Sequence, residues 1–225
     1  MSRVVLTARD LDSLPIFPLP NLVFFPGSTL PLHVFEQRYR ALTRDVLASP
    51  NKVMGIVRLR PGYETNYEGR PPVFDVCGVG SVVESEQHAD GRYDITLKGV
   101  ARVRIVAELP PDQQYRRVRA EVLTELPADP ALSAAWQRKL TSLWTVLAPH
   151  LPEPVRDLRV LTRGAESTGE YADMLAAALV GDVDGSQQLL AELDPAERLR
   201  LLVEKLERVL DSVKPAASSK RPDLN

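Results

Sequence analysis

The feature that most constrains the fold of this chain is a proline-punctuated apolar opening, LPIFPLPNLVFFPGSTLPLHVFEQRY, which runs from Leu14 to Tyr39. Five prolines divide its apolar residues into short pieces. Because proline has no backbone N–H to donate, each proline favours an edge strand, the first residue of a strand or a turn. So many apolar residues are not typical of a linker. The opening therefore predicts short strands and tight turns within a packed domain.

Composition indicates a globular protein of ordinary charge. The 225 residues are 44% hydrophobic and 26% charged, which is typical of folded domains. The 28 basic and 30 acidic residues give a formal net charge of −2, without the basic excess of a protein that neutralises many phosphates. A single cysteine, Cys77, excludes an internal disulfide and favours a reducing compartment. With no long apolar run and no signal peptide pattern, we expect a cytoplasmic protein without a membrane partner.

The first half of the chain has the periodicity of strands. The strand-like segments span residues 52–60, 73–86, 92–98, 100–109 and 115–126. Asp90-Gly91 lies between two of them and predicts a hairpin turn, since these residues tolerate a positive φ. One helix interrupts the strands, because Phe35, Tyr39, Leu42 and Val46 recur at helical spacing.

After Pro127 the pattern becomes helical. Asp129 before Pro130 and Asp194 before Pro195 are typical helix starts. Trp136 lies on an apolar helical stripe that favours burial. We therefore predict an α+β protein with three parts: a β-rich subdomain over residues 1–126, a helical subdomain over 127–214 and a flexible tail over 215–225.

Three groups of residues resemble the N-terminal substrate-binding domain of the Lon proteases, which is also similar to the amino-terminal part of cereblon. The first is LPN at 19–21, FPG at 25–27 and LPLHVFE at 30–36 with RYR at 38–40. The second is VG at 79–80, DGRY at 90–93 and GVARV at 99–103, and the third is LL at 189–190, then Asp194 and ERL at 197–199. The resemblance implies a PUA-like β pseudo-barrel followed by a helical bundle, in agreement with the two patterns above.

Catalytic motifs are missing from the sequence. There is no G-x-x-x-x-G-K-[ST] loop, no G-x-S-x-G and no serine–lysine peptidase motif, so we expect neither ATPase nor peptidase activity. The fragment Gly78-Val79-Gly80 lies in a strand-like run and favours tight packing or a bulge over phosphate binding. His33, His88 and His150 are far apart in sequence, and Cys77 lies among apolar residues. We expect no enzymatic activity, no cofactor and no metal site.

The resemblance implies a non-catalytic module that binds unfolded or partly folded polypeptides for a separate protease or chaperone. Four aromatic residues are candidates for the contact. Phe24 and Phe25 point to opposite faces if their segment is extended, which could expose one of them. Tyr63 and Tyr67 belong to the polar segment PGYETNYEGR, which is typical of a surface loop. The alternative is that these aromatic residues pack in the core.

Two other functions stay open at this point. PUA-like folds also bind RNA, and five arginines could serve such a role, although the near-neutral charge disfavours it. These are Arg102, Arg104, Arg116, Arg117 and Arg119. Alternatively, the helical stripes could pair with a second copy of the chain. The sequence does not predict an oligomeric state.

Overall fold

The computed structural model describes residues 4–67, 69–179 and 182–213, and these contain six strands and seven helices. The predicted tail over 215–225 lies outside the described residues. The strands are β1 (Leu14–Leu19), β2 (Thr29–Val34), β3 (Val53–Arg58), β4 (Val76–Gln87), β5 (Tyr93–Glu108) and β6 (Arg116–Val122). The helices are α1 (Ala8–Asp12), α2 (Gln37–Leu47), α3 (Pro130–Leu147), α4 (Leu158–Leu161), α5 (Thr168–Ala178), α6 (Val183–Ala191) and α7 (Pro195–Val213).

Five of the strands close into a ring. The strand order is β2-β5-β4-β3-β1-β6, and β6 also pairs with β5, which joins the two sides of the sheet. β1 runs parallel to β3, and every other pairing is antiparallel. β2 lies outside the ring and pairs with the first half of β5. The predicted α+β class and the β pseudo-barrel are confirmed.

β5 is longer than the sequence predicts. The segments 92–98 and 100–109 were expected as separate strands, but the structure joins them in one strand, Tyr93–Glu108. Gly99 lies where the two predicted segments join. A Cβ atom at this position would lie 2.2 Å from the Phe25 carbonyl oxygen, so a glycine lets the opening segment cross the strand closely.

Two apolar clusters stabilise the β half. One contains residues from all five strands of the ring, as the interior of a small barrel requires. The other packs the opposite strand face against α2, with Tyr39, Leu42 and Val46 buried. Phe35 was predicted on the same helical face, and this is wrong. It precedes α2 and its side chain is 61% exposed.

The helical half begins and packs as the sequence predicts. The Asp129 carboxylate accepts from the amides of Ala131 and Leu132, and Asp194 accepts from Ala196. The stripes of α3 and α7 pack into one cluster with α5 and α6. Because these stripes are covered within the chain, they no longer favour pairing with a second copy. Within the described ranges, no helix combines the length and apolar character needed to cross a membrane.

A sealed charge cluster joins the two halves. Arg102 on β5 contacts both carboxylate oxygens of Asp173 on α5, at 2.6 Å and 2.5 Å. Arg198 on α7 pairs with Asp173 and with Glu125. Arg102, Asp173 and Arg198 are all at least 97% buried. We call this group the junction cluster. The halves therefore share an interface, and the domain boundaries at 126 and 214 stay a prediction.

Candidate functional site

The structure buries both candidate phenylalanines, as the alternative that they pack in the core predicts. Phe24 packs in the α2 cluster of the β half, while Phe25 packs in the helical cluster. The two rings do point to opposite sides, as an extended segment requires. The helical half, however, covers the side that the sequence could have left in water. Neither ring offers a binding surface.

The candidate tyrosines are partly exposed and lie together. Tyr63 begins a single turn of 3₁₀ helix, Tyr63–Asn66, and Tyr67 follows it. Their rings meet edge to face, with centroids 6.2 Å apart. The segment therefore places two aromatic rings at the surface beside the start of α2.

Arg38 is the residue that connects this loop to the barrel. Its guanidinium carbon lies 4.8 Å from the ring centroid of Tyr39 and 5.0 Å from that of Tyr67. A guanidinium between two aromatic faces is a favourable cation–π arrangement. Tyr39 in turn stacks on Phe17 of β1, with centroids 3.9 Å apart. The arginine is therefore held on a rigid aromatic base.

Glu36 neutralises the arginine and fixes the loop. Its Oε2 accepts from Arg38 Nε at 3.0 Å, and Arg38 Nη2 lies 2.9 Å from the same oxygen. Its Oε1 accepts from the Tyr67 hydroxyl at 3.1 Å. Burial raises the pKa of Tyr67, and the Glu36 charge adds to the rise. Burial also raises the pKa of Tyr39. Both phenols are therefore neutral near pH 7 and act as donors or packing surfaces.

A cleft opens beside Arg38, and its main depression has a volume of about 210 Å³. We call it the Arg38 cleft. It is bounded by β1, the start of α2, the segment around residue 69 and the β5–β6 connection. Its lining residues include Pro18, Arg38, Tyr39, Tyr67, Gly69, Arg70, Pro71, Pro111, Gln113, Gln114, Tyr115 and Arg116. Ligand pockets for drug-sized molecules usually measure about 300–1,000 Å³. The depression is therefore the size of an amino-acid side chain.

The described lining of the Arg38 cleft combines rings, guanidinium groups and amides. Its described lining residues offer aromatic faces, proline rings and two exposed amides, Gln113 and Gln114, and they include no histidine, cysteine, serine or threonine. Arg116 makes two bonds to Glu108, at 2.8 Å and 2.9 Å, and Arg70 lies 3.2 Å from the same carboxylate, so the two arginines share one acidic partner. Such a surface can pack on apolar side chains and exchange hydrogen bonds with amide groups.

The arginines of the RNA hypothesis do not form one open patch. Arg102 is buried in the junction cluster, which contradicts a role on the surface. Arg104 lies 3.5 Å from Glu121, and Arg117 makes two 2.6 Å bonds to Asp112. Two of the five are exposed, Arg104 on β5 and Arg119 on β6. Most of these arginines are therefore paired with carboxylates and are not free to bind a phosphate backbone.

Comparison with known families supports the resemblance found in the sequence. The family model for the ATP-dependent protease La (LON) substrate-binding domain matches residues 13–208. The chain belongs to this family. The matched range begins just before β1 and ends within α7, so it includes both halves and the Arg38 cleft.

Lon proteases from several bacteria are similar to this chain. The Lon protease of Anaeromyxobacter dehalogenans is 29% identical over 94% of the chain, and Lon protease 2 of Sorangium cellulosum is 30% identical over 90% of it. In both cases the chain spans only 25% of the relative's length. The similarity therefore concerns one part of those proteases.

Solved structures agree on the fold. The N-terminal domain of Mycobacterium avium complex Lon protease has a TM-score of 0.67 and 19% identity, and covers 87% of this chain and 98% of its own. A Lon N-terminal domain protein from Xanthomonas campestris has a TM-score of 0.56 and 23% identity, with 85% and 97% covered. At these identities the likeness shows the fold alone, which confirms the resemblance.

Sequence reasoning found the two tyrosines but missed Arg38 and Glu36 as their partners. Both belong to the HVFEQRYR segment that carries the family resemblance. A signal was present, since Glu36, Arg38 and Tyr39 lie close together before a predicted helix. Nothing in the sequence, however, indicates that Tyr67, 29 residues beyond Arg38, contacts it.

Proposed function

We propose that the Arg38 cleft binds segments of other polypeptides, and that the protein acts by binding alone. The proposal rests on one observation, the packing of the Arg38 guanidinium against the rings of Tyr39 and Tyr67. Tyr39 and Tyr67 hold the guanidinium in place, while Glu36 cancels its charge. The accessible parts of the Tyr67, Pro18 and Pro111 rings can bury apolar side chains favourably, at about 25 cal/mol per Å2 of apolar area. The family's substrate-binding role supports the same proposal.

The shape of the Arg38 cleft favours extended segments. A folded partner would present a broad surface, whereas a depression of about 210 Å³ takes one side chain at a time. Gln113 and Gln114 lie on the rim, where their amides can pair with the backbone of an extended chain. We therefore propose unfolded or partly folded polypeptides as ligands. Delivery to a separate protease or chaperone is the corresponding proposal for the partner.

Fluorescence anisotropy tests the proposal with two labelled probes, an unfolded polypeptide and a single-stranded RNA, each at low and high salt. We expect saturable polypeptide binding that survives high salt, because apolar burial is not screened. Binding of RNA alone, with affinity that collapses as salt rises, would contradict the proposal and support the RNA hypothesis.

Variants locate the binding surface. Replacing Tyr63 and Tyr67 together by alanine should weaken polypeptide binding about tenfold, since each removes aromatic area. Tyr67→Phe keeps the ring and loses only the hydroxyl, so it should bind nearly as well as wild type. The matched control is Gln188→Ala, an exposed residue of α6 outside the cleft. Equal affinity for the double variant and the control would remove the tyrosines from the site.

A further inference from the structure

Three side chains meet on the surface at one edge of the β half: His88 and Asp94 from one hairpin, and His33 from a strand 61 residues before Asp94. His33 on β2 lies directly opposite Asp94 on β5 in the strand register. His88 is the first residue after β4, in the hairpin that leads into β5. Two backbone bonds of 2.9 Å, from His88 N to Arg92 O and from Gly91 N to His88 O, fix this hairpin. All three side chains are thus attached to regular structure.

Both imidazoles face the same carboxylate. His33 Nδ1 lies 2.6 Å from Asp94 Oδ1, and His88 Nε2 lies 2.7 Å from Asp94 Oδ2. The potential ligand atoms of the three residues are all within 4.8 Å of one another. The side chains remain one-third to one-half exposed, so a solvated ion can reach them.

We propose that His33, His88 and Asp94 form a binding site for Zn²⁺. Two imidazole nitrogens and one carboxylate oxygen are ligands that zinc prefers, and three protein ligands leave a coordination position open. Zinc bonds of about 2.0–2.2 Å in a tetrahedron separate two ligand atoms by about 3.3 Å. The present separations of 2.6 Å and 2.7 Å are those of hydrogen bonds. Zinc would replace the bridging protons. Each histidine would move away from Asp94 by less than about 1 Å, while ligand atoms now up to 4.8 Å apart would approach by up to about 1.5 Å.

The charges around the three residues are mixed. Asp94 is directly opposite Glu86 on β4, which adds a second carboxylate to the same strand face. Hydrogen bonds from His33 and His88 lower the pKa of Asp94, so its carboxylate is charged near pH 7. The positive charge of Arg92 disfavours a cation at this site, since its Nη1 lies 3.5 Å from His33 Nε2.

Two further groups complete the electrostatic surroundings. Asp90 Oδ2 accepts from Arg92 Nε at 2.6 Å, which reduces the opposing charge of that arginine. Arg40 of α2 approaches the hairpin at Gly91. Glu84 accepts from Thr96 at 3.2 Å and lies on the same face as Glu86. The carboxylates thus outnumber the arginines around the proposed site.

The open position defines what such a site can do. A zinc ion held by three protein side chains completes its coordination with water or with a donor from a bound molecule. The zinc ion would also cross-link β2 to the β4–β5 hairpin. At present β2 is attached to this edge by its strand pairing with β5. Both effects are independent of the Arg38 cleft, so this proposal does not rest on the proposed function.

The test uses the full chain without an affinity tag, stripped of metal with a chelator. Isothermal titration with ZnCl2 should show one ion per chain, and Co²⁺ should give the visible absorption of a four-coordinate site with nitrogen ligands. His33→Ala and His88→Ala should each weaken zinc binding at least tenfold. His150→Ala is the matched control and should bind as wild type, since His150 lies in the helical half.

Several outcomes would overturn the zinc site. They are the absence of saturable binding, a stoichiometry that does not change in the His33→Ala/His88→Ala double variant, or an equal loss in His150→Ala. Circular dichroism of the metal-free variants shows whether each one is folded. Asp94→Asn is a further variant, which keeps the size of the Asp94 side chain and removes its charge. Zinc should also bind more weakly in acid, because protons compete with the metal for imidazole nitrogens. Affinity that does not change with pH would contradict the histidine ligands.

Discussion

The junction cluster and the Arg38 cleft use the same pairing of arginine with carboxylate, but in opposite surroundings. At the junction, Arg102 and Arg198 share Asp173 with almost no exposure to water. In the cleft, Arg38 and Glu36 keep 20% and 27% of their side-chain surface exposed. A sealed pair resists disruption because losing one partner leaves a buried charge. An open pair has water as a substitute, so its surface stays available for a ligand.

The largest effect is expected at the junction. Asp173→Ala should lower the free energy of unfolding by about 3–5 kcal/mol, because two guanidinium groups would remain buried without their shared partner. Urea denaturation followed by circular dichroism measures this change. The matched control is Asp112→Ala, which removes the partner of Arg117 at an exposed site and should leave stability nearly unchanged. Similar losses in both variants would break the comparison between sealed and open pairs.

Gly99→Ala tests a second buried contact, where the opening segment crosses β5. The new Cβ would lie 2.2 Å from the Phe25 carbonyl oxygen and 3.0 Å from Gly27 N, so the backbone must shift. We expect a loss of about 1–3 kcal/mol in urea denaturation, as for other overpacked sites. Gly55→Ala is the control within a strand, since its Cβ would meet side-chain atoms at 3.2 Å or more and no backbone atom at shorter range. A loss at Gly55 larger than that at Gly99 would contradict this explanation.

Glu36→Ala tests the partly exposed pair of Arg38 and Glu36 in the cleft. It leaves Arg38 unpaired but partly in water and between two rings, so the free energy of unfolding should fall by only about 0–1 kcal/mol. The same denaturation assay measures it. A loss as large as that of Asp173→Ala would show that the Arg38 pair is a structural element like the junction cluster.

Alkaline pH gives the smallest expected effect, at the rim of the cleft. Burial and the bond to Asp45 raise the pKa of Tyr115 to about 12. Its folded-state pKa is thus above the unfolded value of about 10, so the protonated phenol is favoured by folding. This contribution is intact below about pH 10 and is lost as pH rises toward 12. Stability measured across that range should fall less steeply in Tyr115→Phe than in wild type, whereas parallel curves would contradict the assignment.

Local signals predicted much of the fold. The helix starts at Asp129 and Asp194 and the hairpin at Asp90-Gly91 are set by residues adjacent in sequence, and the structure confirms them. Gly78 was expected to serve tight packing, and its Cβ would indeed lie 2.0 Å from the Phe24 carbonyl oxygen. The short helix α1 was missed, although Thr7 and Asp10 form its capping box.

Long-range contacts account for what the sequence did not predict. Phe25 is buried because helices more than 100 residues away cover it, and no local pattern indicates that packing. The meeting of Arg38 with Tyr67 and that of His33 with His88 depend in the same way on strand and loop positions. Residue types suggested the tyrosines as candidates, but only the fold assembles the cleft.

Site-specific photo-crosslinking tests polypeptide binding in the Arg38 cleft most directly. A photoreactive residue is placed at Gln114 on the cleft rim and, in a second variant, at Ser142 on the exposed face of α3. Each variant is irradiated with an unfolded polypeptide, and the products are resolved by mass spectrometry. We expect crosslinks from Gln114 that an excess of unlabelled polypeptide suppresses, and few from Ser142. Crosslinks from Ser142 at equal or greater yield would contradict binding in the cleft.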